Sequence, residues 1–182
     1  MSGDTANTAL WQNADVYKAI LDTVGPTTVT AAWVAAWEAV GLLDGEEGFT
    51  ESRDGDSAEF YAWGGILVKK TKSKHKRTVK FVCMEDNLTT FGLVNPGSTR
   101  VTASGLTTSV VKIPTNEEFA MGFETRDGTK VKRRVVKRAT VEEIGEIKES
   151  ESEPTVYEVT VVIYPEPDGT LYTELSGDSS GS

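Results

Sequence analysis

The 182 residues carry a formal net charge of −9, with 38% hydrophobic and 26% charged residues, a globular composition. No apolar run approaches the ~18 residues of a membrane helix, and the start, Met-Ser-Gly-Asp-Thr-Ala-Asn, lacks the basic and apolar stretches of a signal peptide, so neither membrane insertion nor Sec-type export is expected. One cysteine, Cys83, excludes an intramolecular disulfide, and one histidine, His75, without a cysteine pair, gives no zinc pattern.

The length suits one domain, large enough to bury roughly 70% of the surface its unfolded chain exposes. It divides into an N-terminal arm over 1–14, a β domain over 15–175 and a flexible tail over 176–182. The arm is polar apart from Leu10 and Trp11, a pair suited to docking on a neighbouring subunit or on its own domain. A short edge strand is predicted over 15–20. Gly25-Pro26 breaks the chain. Trp33, Val34, Trp37 and Val40 recur at three- and four-residue spacing, which predicts a short helix over 31–40, capped by Thr27 or Thr30 and ended by Gly41. Asp44-Gly-Glu-Glu-Gly lacks the alternate ligand spacing of a calcium loop and reads as a turn.

In the stretch 56–85, two β-rich runs flank a polar, basic tip, Thr71-Lys-Ser-Lys-His-Lys, the pattern of a long antiparallel hairpin. Ala58, Phe60, Ala62, Ile66 and Val68 in the first run, and Val79, Phe81 and Cys83 in the second, each form one apolar face. Glu59, Tyr61, Thr78 and Lys80 fall on semi-polar faces that would meet water or another subunit. Cys83 reads as a small core residue, and Trp33, Trp37 and Trp63 all read as buried. A short helix over 87–94, capped by Asn87 or Thr89, is ended by Pro96-Gly97. Strands over 100–103 and 109–113 flank a turn at Gly105.

A second hairpin pairs 118–124 with 129–140 through Asp127-Gly128. Its run Val131-Lys-Arg-Arg-Val-Val-Lys-Arg-Ala mixes apolar and basic residues without strict alternation, which suggests a bulge. An acidic connector over 142–153 leads to a strand over 155–164, with Tyr157, Val159, Val161 and Ile163 on one face. A last strand is predicted over 171–175. Short strands between turns give a mainly β fold, a β-sandwich or partial barrel with one or two short helices and one long hairpin.

Charge is segregated. The run 69–80 holds seven Lys or Arg and no acid, and 130–138 holds six more; 142–158 holds seven carboxylates. Complementary patches on one chain suit head-to-tail self-association. Lys69, Lys70, Lys72, Lys74, Lys76 and Arg77 are therefore candidate contacts between subunits or rings. Leu10, Trp11, Glu142, Glu143 and Glu146 join them.

Catalytic signatures are missing: no P-loop, no dinucleotide glycine fingerprint, no HExxH. Gly177-Asp-Ser-Ser-Gly looks like a serine-protease signature by eye, but the only histidine lies in the basic run. No catalytic residue, metal ligand or cofactor site is assigned, and no enzymatic activity is expected. The basic blocks lack aromatic residues for stacking bases, and the chain as a whole is acidic. An acidic surface repels phosphate, which suits DNA passing by rather than DNA held.

Several features occur in a telling order: Asn13-Ala-Asp-Val-Tyr-Lys, Ala36-Trp-Glu-Ala-Val-Gly, Gly48-Phe-Thr-Glu-Ser-Arg-Asp-Gly, Ala62-Trp-Gly-Gly-Ile-Leu-Val and Glu85-Asp-Asn-Leu-Thr. Over roughly residues 10–165 this order resembles the major tail (tail tube) proteins of long-tailed bacteriophages, especially those of actinobacterial phages. The resemblance implies a structural virion protein that stacks as hexameric rings into a tube, each long hairpin joining a shared inner β-barrel. Such a tube encloses a tape measure protein and later conducts DNA during ejection. The implied partners are further copies of the chain, the tape measure protein, a tail terminator and a baseplate or distal tail protein. The implied locations are the virion tail and, during assembly, the host cytoplasm. Alternatives are a tail terminator, head-tail connector or decoration protein, or a monomeric β-sandwich module presenting an exposed aromatic platform.

Overall fold

The computed structural model describes residues 3, 4 and 7–179. Ten strands and one helix follow in the order β1 (Asn13–Ile20), β2 (Glu38–Ala39), β3 (Thr50–Ala62), β4 (Ile66–Cys83), α1 (Leu88–Val94), β5 (Thr99–Ala103), β6 (Leu106–Val110), β7 (Phe119–Asp127), β8 (Lys130–Ile144), β9 (Tyr157–Ile163) and β10 (Thr173–Asp178). The fold is mainly β, as expected. The large sheet runs β2-β1-β7-β8-β9-β4-β3, all antiparallel, and β5-β6 forms a separate two-stranded sheet.

Strand β8 is the spine. It pairs with β7 on one side, and with β10 and then β9 along the other. The sheet then curls almost into a barrel. Tyr17 of β1 pairs with Ala39, and a few residues on Leu43 bridges Cys83 at the end of β4. Backbone hydrogen bonds Val40 N to Val16 O (3.0 Å) and Met84 N to Leu42 O (2.8 Å) join the same two sides. Flat, β1 and β4 would stand about 19 Å apart across four strand spacings; curled, they share one core. Val16, Phe81, Met121, Val136, Val159 and Val161 are all at most 1% exposed in it.

Local patterns account for much of this. Strand β9 alternates as predicted, with Val159, Val161 and Ile163 buried. The Asp127-Gly128 turn forms with Gly128 at φ 58°, a conformation that favours glycine. The expected bulge lies where Phe119 pairs Ala139 but Met121 pairs Val136, which lets Val136 and Ala139 both face the core. Cys83 is fully buried, and burial pushes its thiol up to about 12.

Helix α1 starts where Asn87 Oδ1 accepts from Thr90 N at 2.9 Å; Asn87 Nδ2 also donates to Val40 O at 2.8 Å. Both bonds vanish in Asn87→Ala, so that variant loses about 1–2 kcal/mol in urea unfolding. An unchanged midpoint would show that neither bond matters.

Five expectations about the elements are corrected. Residues 31–40 form no helix; the segment turns at 34–37, with Trp37 N bonded to Val34 O at 2.9 Å, and ends in β2. Its tryptophans reach across the fold instead of sharing a helix face. Strand β1 is not an edge, because β2 and β7 flank it. The strand expected over 109–113 is β6, ending at Val110. Ser176, Gly177 and Asp178, within the expected tail over 176–182, belong to β10, paired with Lys132, Val131 and Lys130; 180–182 lie outside the described residues. The fifth correction, the place of the long hairpin's turn, matters most.

Candidate assembly surface

The long hairpin turns at Trp63-Gly64-Gly65, not at the lysine run. Gly64 and Gly65 take φ 90° and 78°, which glycine allows without strain, and Gly65 N donates to Ala62 O at 3.1 Å. The basic run is thus mid-strand in β4. Acids of β3 stand opposite it: Glu59 pairs Lys70, and Asp54 pairs Lys76.

These charges find partners within the chain. Lys70 Nζ lies 2.7 Å from Glu59, Lys74 2.8 Å from Asp56 and Arg77 3.3 Å from Glu51, and Lys76 pairs with Glu142. Lys70, then Tyr61, hold the Glu59 carboxyl below its ordinary range, and Glu59 in turn raises the Tyr61 hydroxyl. Among the described residues, Lys69 and Lys72 have no ion pair, nor do Glu143 and Glu146 on the connector.

Residues 52–70 and 72–76 are exposed. Among the described residues the outer edge of β3 has no partner strand, so the distal hairpin is a two-stranded ribbon bare on both faces. At its end stands an apolar tip. Trp63 is 101% exposed, and Phe60, Tyr61, Ile66 and Val68 are each more than half exposed. Trp63 is expected to be buried, but none of the described residues covers it. The four residues expected on a semi-polar face do not line up. Thr78 and Lys80 pair with Ser52 and Thr50, even positions of β3, whereas Glu59 and Tyr61 are odd positions and face the other way. Both register shifts, between Asp54/Asp56 and Phe60/Tyr61, insert the extra residue in β4, so β3 keeps its alternation.

A cavity of about 770 Å³ opens at the root of this ribbon, under the N-terminal arm. Leu10, Trp11, Leu42, Leu43, Phe49 and Phe123 line it. The arm lies on its own domain: Leu10 N donates to Asp127 Oδ2 at 3.1 Å, Gln12 N to Arg126 O at 2.9 Å, and Lys132 Nζ sits 5.3 Å over the Trp11 ring. Leu10 nevertheless remains 75% exposed. Asp44 and Glu85 border the cavity without an ion pair among the described residues, and Glu85 accepts from Leu42 N at 2.8 Å. A third exposed apolar set lies on the β5–β6 hairpin and beyond it, at Val101, Leu106 and Ile113.

On the far side of the sheet the segment 22–37 is anchored by a buried ionic cluster missed in the sequence reading. Glu124, 1% exposed, accepts from Trp33 Nε1 and Arg126 Nε, both at 2.6 Å. Arg133 Nε stands 2.7 Å from Glu124 without aligned hydrogen-bond geometry, and its Nη1 donates to Thr28 O and Ala31 O at 2.8 and 2.6 Å. Trp33 stacks on Tyr17 at 4.5 Å, and Gly122 leaves the room, since a Cβ there would overlap the indole. A signal was available: counted back from the Asp127-Gly128 turn, Glu124 falls opposite Arg133.

A family model described as phage tail tube protein matches residues 1–181. Among solved structures, the fold resembles a chain of an extracellular contractile injection system, the PVC sheath-tube complex in its extended state. That match has a TM-score of 0.54 at 9% identity, over 97% of this chain and 100% of that one. A chain of the sheath/tube terminator of the same system gives 0.52 at 10% identity, over 94% and 99%. No curated protein sequence matches significantly.

Proposed function

Because the chain belongs to the phage tail tube protein family, we propose that it polymerises as stacked hexameric rings, the β3–β4 ribbons joining into an inner β-barrel. It is a structural protein of the virion tail. The observation that carries the polymer is the ribbon itself. A lone two-stranded hairpin is marginal in water, and an open strand edge invites pairing. Side-by-side copies would supply the missing partner strand on β3 and cover faces that are bare here. The proposed lumen candidates Glu59, Tyr61, Thr78 and Lys80 divide between the two faces of the ribbon, so only one pair, Glu59 with Tyr61 or Thr78 with Lys80, would line the bore. The role needs no catalytic centre. A tape measure protein inside the tube, later replaced by passing DNA, a terminator and a baseplate or distal tail protein at the two ends, and assembly in the host cytoplasm complete the reading.

Negative-stain electron microscopy of the purified chain, at rising concentration and at low and high salt, tests it. Hollow tubes are expected. Single rings at every concentration would favour a terminator, and dispersed monomers throughout would reject autonomous polymerisation. Reversing Lys70, Lys72 and Lys74 to Glu sets like charges against Glu59 and Asp56. These pairs are exposed and screened by water, so the core still melts near the parent temperature, but the ribbon splays and tubes are lost. Normal tubes from this variant would reduce the lysine run to a solvated surface.

A further inference from the structure

We infer that the apolar tip around Trp63 seats in the cavity beneath the N-terminal arm of a second copy. This rests on the polymer reading and specifies one contact within it. Phe49, which lines the cavity, immediately precedes β3, and the tip lies at the far end of that strand. Twelve residue steps at about 3.3 Å each carry the tip roughly 40 Å from its own cavity. No chain can therefore fill its own pocket, whereas a neighbour displaced along the ribbon by that distance can. Tip and pocket are different surfaces of one molecule, so the contact is head-to-tail, the kind that builds rings or filaments.

Chemistry matches at both levels. The cavity volume, about 770 Å³, lies within the range of about 300–1,000 Å³ that admits drug-sized ligands, which leaves room for an indole and a flanking side chain. Leu42, 68% exposed, and the half-buried Phe49 present apolar walls to it. Around that apolar centre the charges complement. The tip's stalk bears Lys69 and Lys72, and the cavity bears Asp44 and Glu85, all four without an ion pair among the described residues. Lys132 and Arg134 also border the cavity, but both lie near Glu174, at 3.9 and 2.9 Å.

Disulfide trapping with full-length chains tests the contact. Native Cys83 is buried and its thiol is held protonated, so introduced cysteines alone react. Ala62→Cys leaves Trp63 in place, and Gly45→Cys adds a side chain where nothing lies within 4 Å. A 1:1 mixture of the two, oxidised with copper-phenanthroline, is expected to give a cross-linked heterodimer. Its yield should exceed that of an Ala62→Cys and Ile113→Cys pair by about tenfold or more, and fall to that control level when Trp63→Ser is added, as loss of an aromatic anchor requires. Equal yields from the two pairs, or indifference to Trp63→Ser, would overturn the contact. Tubes from the wild-type chain alongside equal yields reject only this contact. Specific trapping without tubes rejects only the polymer.

Discussion

Glu124→Ala unfolds the chain at about 3–5 kcal/mol less stability than the parent, the cost of leaving a buried cation without its counter-charge. Arg133, 6% exposed, keeps its bonds to Thr28 O and Ala31 O in that variant but loses the carboxylate beside it. Trp33 loses its acceptor at the same time. The shift in melting temperature is roughly 6–20 °C at about 2–4 °C per kcal/mol for a chain of this size, and urea unfolding gives the free energy directly. The control is the double variant Glu124→Leu with Arg133→Met. Replacing both charges with apolar groups of similar volume is often neutral or better, so the double variant recovers most of the loss. A double variant as unstable as Glu124→Ala would mean that packing, not charge, holds the 22–37 segment down. A single variant within about 0.5 kcal/mol of the parent, the range of an ordinary surface change, would remove the cluster from the account of stability.

The same cluster shows what the sequence could and could not reveal. Elements set by local signals were legible: the Asn87-capped helix, the Asp127-Gly128 hairpin, the alternating strand through Val159 and Val161. Residues 31–40 carry an equally regular spacing, yet they fold otherwise. Trp33 and Trp37 bond to Glu124 and to Val24 O, partners 91 and 13 residues away, which no periodicity encodes. The long hairpin failed for a related reason. A run of lysines with one histidine reads as a solvated tip, and an apolar run as a buried strand, when each is judged alone. Pairing decides instead: β3 supplies Asp54, Asp56 and Glu59 along the basic stretch of β4, so the lysines are held in a strand and the apolar run is left at the turn. The pattern Phe60, Ala62, Ile66 predicts a buried apolar face, yet these residues stand exposed at the end of the ribbon.

Trp63→Ser therefore separates folding from assembly more sharply than any other single change. In the free chain Trp63 is fully exposed, so its loss leaves stability within about 0.5 kcal/mol of the parent. In the polymer the indole would bury about 150–250 Å², and a central aromatic anchor of this kind is worth about 2–4 kcal/mol. Each copy that joins the polymer inserts one tip and receives one, so the net change is one such contact per added copy. The critical concentration for assembly, measured by pelleting, then rises about 30- to 700-fold at 1.4 kcal/mol per decade. Trp63→Phe keeps a ring in the pocket and loses only a small part of this. Salt discriminates further. Screening weakens any attraction of Lys69 and Lys72 for Asp44 and Glu85 but leaves apolar burial intact, so high salt shifts the parent's critical concentration far less than Trp63→Ser does. Assembly of Trp63→Ser at the parent's concentration would show that the tip stays in solvent within the tube. The exposed aromatic cluster would then have to serve a partner other than this chain, and the lateral pairing of ribbons would carry the polymer alone.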